Sequence, residues 1–281
     1  MQPRFDFDAA SALSRGARSY QEDAVISDFA HGSDVGVVVL SDGMGGHAAG
    51  DIASKIVVSE VYSELLFQRS CVETFEASVK DNLLAAAKAA NACLKEHMAL
   101  HPETRGMGAT LVAMVVVRGN LYWISIGDSP LFLFRDCELV QLNEDHSMAP
   151  QIDFMVKSGL LTKEAGENHP DRNTLTSVLI GTEVPKVDCP DNPVPIQEGD
   201  TLIVASDGLQ FLSNGEIEAA LRRTCEVRSA QVAHELMKSV NALDDPDLDN
   251  VSFSVIRVND RDTASARCGS KEAKPDIRCV G

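Results

Sequence analysis

Two Ser-Asp-Gly tripeptides, Ser41-Asp42-Gly43 and Ser206-Asp207-Gly208, each follow a short apolar run, Val35-Gly36-Val37-Val38-Val39-Leu40 and Leu202-Ile203-Val204-Ala205. Runs of this kind are the pattern of buried strands. Each therefore delivers a carboxylate at a strand's C-terminal end, beside a glycine that lets the backbone approach a ligand closely. Taken singly, such a tripeptide is a common turn signal. The same context recurs at Glu22-Asp23, at Asp128 in Ile126-Gly127-Asp128-Ser129, and at Asp249 ahead of Val251 to Val258. Carboxylates brought together without partners repel, and a shared cation is the natural reason for them to converge. Mg²⁺ and Mn²⁺ take oxygen ligands octahedrally and retain waters. Two such ions about 3.5–4 Å apart turn a water into a nucleophile at neutral pH. Arg18 adds a guanidinium suited to phosphate oxygens. Its spacing from Glu22 also suits a plain surface ion pair, worth about 0–1 kcal/mol.

Strands and helices must carry these groups to one place. Ile52, Ile56, Val57, Val61 and Leu65 form one stripe at helical spacing over His47 to Phe67. A second helix is predicted from Thr74 to Met98, with Phe75, Val79, Leu83, Ala87, Ala90 and Leu94 inward and His101-Pro102 as its stop. Thr110 to Val117 and Leu121 to Ile126 flank Arg118-Gly119-Asn120, in which Gly-Asn signals a tight hairpin; Leu131 to Phe134 and Glu138 to Leu142 flank Arg135-Asp136-Cys137. Residues 143–173 break this pattern as an excursion with a short helix over Ile152 to Leu160. A Pro-rich loop over 182–200 leads to the second Ser-Asp-Gly strand, helices over 216–223 and 230–241, and a last strand over 251–258. From Asn259 the chain is polar and without period, as in a disordered tail. Two long helices beside mainly antiparallel strands imply an α/β sandwich and not a doubly wound parallel sheet.

Composition narrows the function. The chain has 281 residues, 44% apolar and 24% charged, and a formal charge of −17. That charge argues against nucleic acid and anionic membrane as partners, and it suits a protein that binds cations. No stretch approaches the roughly 18–20 apolar residues that span a bilayer, and no secretion signal opens the chain. The seven cysteines, 71, 93, 137, 189, 225, 268 and 279, are scattered and give neither a disulfide framework nor a Cys-x-x-Cys site. A reduced, cytoplasmic protein is the expectation. His47 and His146 are expected to be structural, hydrogen-bonded to backbone or carboxylate. His31, His97, His101, His169 and His234 have no constellation around them, and Trp123 reads as core.

Seven motifs, taken in order, resemble a known family. They are Arg18-Ser-Tyr-Gln21-Glu22-Asp23, Asp42-Gly-Met-Gly-Gly46-His47, Gly106-Met-Gly-Ala-Thr110, Gly127-Asp128-Ser129, Asp145-His146-Ser147, Ser206-Asp207-Gly208-Leu209 and Asp249-Asn250-Val251-Ser252. Their sequence resembles that of the metal-dependent type 2C (PPM) Ser/Thr protein phosphatases, in the bacterial single-domain form, over residues 10–258. Asp-Gly-Met-Gly-Gly is the most specific piece.

The resemblance implies a four-layer α-β-β-α sandwich with two central, mostly antiparallel sheets. A phosphatase domain would cover 1–258, with a flap at 143–173, and 259–281 would be tail. Two Mn²⁺ or Mg²⁺ ions are implied at one end of the sandwich. Asp42 would bridge them, the Gly43 carbonyl and Glu22 would serve one, and Asp207 and Asp249 the other. Asp23 would hold a metal-bound water, Asp128 with Asp207 would take a weaker third ion, and Arg18 would hold the substrate phosphate. Met44 stands where some eukaryotic members carry a histidine regarded as general acid, which leaves that role to water.

The implied reaction is hydrolysis of phosphoserine and phosphothreonine on proteins, the targets of a Ser/Thr kinase, by a monomer. Pro130, Ala109, Gln21 and Gln210-Phe211 depart from the family pattern, and none is an implied metal ligand. Two rival functions are a catalytically weak phosphoprotein-binding module of the same fold and a two-metal nuclease or phosphodiesterase. The first sits poorly with a full carboxylate set, the second with an acidic chain lacking a basic stripe.

Overall fold

The computed structural model describes residues 5–260 except 31, 32, 34, 46, 47, 71, 225 and 226. The expectations for His31, His47 and the tail beyond Asp260 therefore lie outside the described residues. Strands β1 (Phe5–Ser14), β2 (Asp23–Asp28) and β3 (Val35–Met44) come first, followed by the long helices α1 (Ala48–Gln68) and α2 (Val72–Leu100). Then come β4 (Gly108–Ala109), β5 (Leu111–Val117), β6 (Asn120–Ile126), β7 (Leu131–Arg135) and β8 (Glu138–Gln141). Helices α3 (Ala149–Lys157) and α4 (Lys163–Glu167) precede β9 (Val194–Pro195) and β10 (Thr201–Ala205), and α5 (Asn214–Arg223), α6 (Ser229–Asn241) and β11 (Val251–Asp260) close the chain.

The strands form two sheets, one ordered β2-β3-β5-β6-β9 with β4 beside β3, the other β1-β11-β10-β7-β8. Every strand pairing is antiparallel. Between the sheets lie Val38, Leu40, Val112, Met114, Leu202, Val204, Ile256 and Val258. On the outer face of the first sheet, Val37, Val39, Ala113 and Val115 pack against Val57, Val61, Leu83 and Ala90 of α1 and α2. On the outer face of the second, Ile203, Ala205, Phe253 and Val255 pack against Ile217, Leu221, Leu236 and Val240 of α5 and α6. The architecture is the expected α-β-β-α sandwich. Strands buried on both faces explain why the apolar runs are continuous and do not alternate.

Local differences from the expectation have physical reasons. The β5–β6 turn is Arg118-Gly119, at φ 48° and 80°, with Val117 opposite Asn120. The turn therefore sits one residue earlier than the Gly-Asn signal placed it, and both of its residues adopt the left-handed backbone that tight hairpins require. The strand from Val35 does not stop at Leu40 but runs through the whole first tripeptide to Met44. Strand β11 continues to Asp260, opposite Phe5 of β1, two residues past the expected strand end at Val258.

Candidate active site

One end of the sandwich gathers the acidic residues. Pairing of β2 with β3 sets Asp23 directly opposite Asp42. Asp207 arrives from the other sheet, as the first residue of a 3₁₀ turn (Asp207–Phe211) that follows β10, and its charge acts on Asp42. Asp249 stands just ahead of β11, and Asp128 just after β6. Both tripeptide glycines are required by close approach: a Cβ on Gly43 would lie 2.0 Å from the Gly50 carbonyl oxygen, and one on Gly208 2.0 Å from that of Asn250.

A layer of hydroxyls and amides fixes the carboxylates from behind. The Asp42 N–H donates to Thr110 Oγ1 at 2.9 Å, and Thr110 Oγ1 shares a 2.8 Å hydrogen bond with Ser129 Oγ. Ser41 Oγ donates to the Thr110 carbonyl at 2.6 Å, and Ser206 Oγ donates to Asp23 Oδ2 at 2.7 Å. Asn250 Oδ1 accepts the Glu22 N–H at 2.7 Å, while its amide nitrogen donates to the carbonyls of Arg15 and Tyr20, each at 2.9 Å. His146 receives the Gly127 N–H on Nδ1 at 3.3 Å and returns its own N–H to the Gly127 carbonyl at 3.0 Å, clamping the residue before Asp128. Its hydrogen bond to backbone is the one expected of it.

The electrostatics are those of charge awaiting compensation. Burial, then the neighbouring carboxylates Asp23, Asp207, Asp128 and Asp249, pushes Asp42 well above the usual carboxylate range. Burial likewise raises Asp23 and Asp128, each to about 7, and raises Asp207 and Glu22. Glu22 Oε1, Asp23 Oδ1 and Asp207 Oδ1 are buried without a hydrogen-bond partner. Orphaned anionic oxygens are costly in a protein interior, and oxygen-only donors of this kind fit hard divalent cations. Among the described residues, no three His, Cys, Asp or Glu side chains are grouped closely enough to hold a metal ion as they stand.

Arg18 stands at the rim, 58% exposed, with its guanidinium 2.7 Å from Asp249 Oδ2. Its ion-pair partner is thus Asp249 and not Glu22. Gly43 is buried and donates its N–H to the Glu22 carbonyl at 3.1 Å. All seven expected ligand positions lie on the strands and turns of this one end, with Arg18 beside them.

Comparison with known proteins gives this arrangement a family. The sequence pattern of protein phosphatase 2C matches residues 14–245. The chain belongs to the protein phosphatase 2C family. It is 31% identical over 231 residues to the serine/threonine protein phosphatase PstP of Mycobacterium tuberculosis, a match covering 80% of this chain and 41% of that protein. The chain thus spans about two fifths of that relative's length. The crystal structure of the M. tuberculosis phosphatase PstP/Ppp superposes with a TM-score of 0.76 at 29% identity, covering 90% of this chain and 99% of that one. A second structure, the PstP catalytic domain in complex with two manganese ions, gives 0.73 at 29% identity over 91% and 100% of the two chains.

Where this phosphatase 2C chain departs from the family pattern, the structure shows what the residues do. Gln21 accepts the Asp23 N–H at 3.3 Å and donates to the Ser14 carbonyl at 3.1 Å. Ala109 is buried and pairs with Leu179. The Pro130 carbonyl accepts the Ala205 N–H at 3.0 Å, linking β7 to β10 where the second tripeptide begins. Thr110, Ser129, Ser206 and Asn250 support the site, yet the sequence motifs that contain them assigned them no task. Their types, hydroxyl and amide beside a carboxylate, were the available signal.

Proposed function

We propose that this protein is a metal-dependent phosphatase that removes phosphate from phosphoserine and phosphothreonine in proteins. The observation that carries the proposal is the convergence of Asp23, Asp42, Asp128, Asp207 and Asp249 from both sheets, with three nearby carboxylate oxygens left unpartnered. Family membership and the two manganese ions in a related catalytic domain support it. Mn²⁺ or Mg²⁺, when bound, supplies an activated water and neutralises charge developing on the phosphoryl group. Asp42, directly opposite Asp23, would be shared by both ions. Glu22 and the Gly43 carbonyl would serve one of them, Asp207 and Asp249 the other, and Asp23 would hold a water. Asp128 with Asp207 would take a weaker third ion.

Arg18 orients the phosphate. It is exposed enough to meet a protein surface, and Asp249 holds its guanidinium at the rim without burying it. No covalent phosphoenzyme is required, since water is the nucleophile. Substrates are phosphorylated proteins produced by a Ser/Thr kinase, met by a cytoplasmic monomer, with residues 143–173 beside the groove. No helix among the described residues is long and apolar enough to cross a membrane.

Hydrolysis of p-nitrophenyl phosphate is expected with Mn²⁺ and absent in EDTA, falling to background in Asp42→Asn and to a low residual rate in Asp207→Asn. Retained activity in Asp42→Asn overturns the bridging role. The alternative of a weak, phosphoprotein-binding module is disfavoured by the complete carboxylate set. Calorimetry that detects no Mn²⁺ binding would favour it.

A further inference from the structure

Resting on the metal-dependent reading, we infer that Ser206 is a positioning residue of the centre: its buried hydroxyl clamps Asp23 across the two sheets and decides which carboxylate oxygen faces the ions. Ser206 is completely buried. Its backbone N–H donates to the Ser252 carbonyl at 2.8 Å, and its Oγ accepts the Ser252 N–H at 3.0 Å. Both contacts lock the residue onto β11. With one lone pair taken by that N–H, the hydroxyl proton points to Asp23 Oδ2 at 2.7 Å; its only other acceptor, the Ser252 carbonyl, is at 3.4 Å. Asp23 belongs to β2 in the opposite sheet, so one short hydrogen bond ties the carboxylate to the residue that follows β10, 183 positions away. Oδ2 is thereby occupied, and Oδ1, buried and unpartnered, is the oxygen left for the cluster.

The corresponding serine of the first tripeptide works differently. Ser41 Oγ donates to the Thr110 carbonyl, a backbone group and not a carboxylate. The two copies of Ser-Asp-Gly are thus not equivalent at their first residue. Ser41 ties backbone to backbone within one sheet, whereas Ser206 orients an acidic side chain of the other sheet. Groups that hydrogen-bond the residues around a metal typically change its affinity or activity 10–100-fold when removed. Without the Ser206 hydroxyl, Asp23 Oδ2 loses its fixed partner, and the carboxylate is free to rotate.

The test is a double-mutant cycle in Mn²⁺ affinity. Calorimetry, with free Mn²⁺ counted by its EPR signal, is run on wild type, Ser206→Ala, Asp23→Asn and the double variant, each checked for fold by circular dichroism. The expected result is about a 10–100-fold weaker Mn²⁺ site in Ser206→Ala, and no further loss when the same change is made on Asp23→Asn. Ser206→Cys, of similar size but a weak donor, falls between wild type and alanine, and carries the same comparison if the alanine variant does not fold. Wild-type affinity in Ser206→Ala, or an equal loss with and without the Asp23 carboxylate, overturns the positioning role. Wild-type protein that takes up no Mn²⁺ overturns the metal-dependent reading itself.

Discussion

At Gly43 the missing side chain lets three backbone segments meet. A Cβ there would stand 2.0 Å from the Gly50 carbonyl oxygen and 2.7 Å from that of Glu22. These are backbone atoms that cannot swing aside, so Gly43→Ala must push α1 or the Glu22 loop away from β3. The expected cost is about 1–3 kcal/mol of stability, together with weakened Mn²⁺ binding. Urea unfolding with an unchanged midpoint would show that the segments give way freely. The acidic residues themselves were legible, because each sits in a short motif at the start or end of an apolar run. The links between them were not. Arg18 meets Asp249 across 231 residues and Ser206 meets Asp23 across 183, and no local pattern encodes either pairing. Local spacing offered Arg18 a neighbour in Glu22, and the fold gave it Asp249.

Elements differ in how plainly they announce themselves. The α1 and α2 stripes were readable because helices packed on one side keep a 3.6-residue period. Strand β1 was missed, although Phe5-Asp6-Phe7-Asp8 alternates. Its later half is Ala- and Ser-rich, with little side chain to mark a buried strand, and it forms an edge paired only with β11. Phe5 and Phe7 pack into the layer between the sheets. Asp8 on the same strand accepts the Ser229 N–H at 2.6 Å and pairs with Arg228, capping α6 from another element, since the N-cap Arg228 makes no side-chain cap of its own. Asp8→Ala should lower stability by about 0.5–2 kcal/mol. The urea midpoint is expected to fall at constant m-value, with Mn²⁺ affinity unaffected; an unmoved midpoint means the cap contributes nothing. At α5 a signal was available: Ser213 and Glu216 form a reciprocal capping box that starts the helix two residues before the expected Glu216. Helix α4 and strand β9, five and two residues long, are too short to carry a period.

For the molecule as a whole, negative charge is concentrated where the two sheets meet at one end. Asp23 and Asp128 are raised by burial to about 7 from an ordinary value near 4. Groups whose folded pKa is raised bind more protons when folded, so their contribution to stability is complete below about pH 4 and is lost as pH rises toward 7. His146 acts the other way. Burial lowers its pKa, so its contribution fades as pH falls below about 6.5. With Asp42, Asp207 and Glu22 raised as well and His146 alone opposing among the site residues, metal-free protein in EDTA should melt lower at pH 7.5 than at pH 5.5. A fixed Mn²⁺ concentration about 100 times the dissociation constant at pH 7.5 should raise the midpoint there by roughly 5–10 °C, and the same concentration should raise it less at pH 5.5, where more of the carboxylates are protonated. Equal gains at both pH values in a calorimetric scan would contradict a carboxylate-held ion. The sequence by itself determined the layered α/β class, the two strand-end aspartates and the acidic inventory, because apolar period and short motifs are local properties of the chain. Only the tertiary structure decided that Asp23 faces Asp42, that Arg18 leans on Asp249 and that Ser206 holds Asp23. Those pairings come from strand register and from the stacking of two sheets, and each joins residues that nothing local in the chain connects.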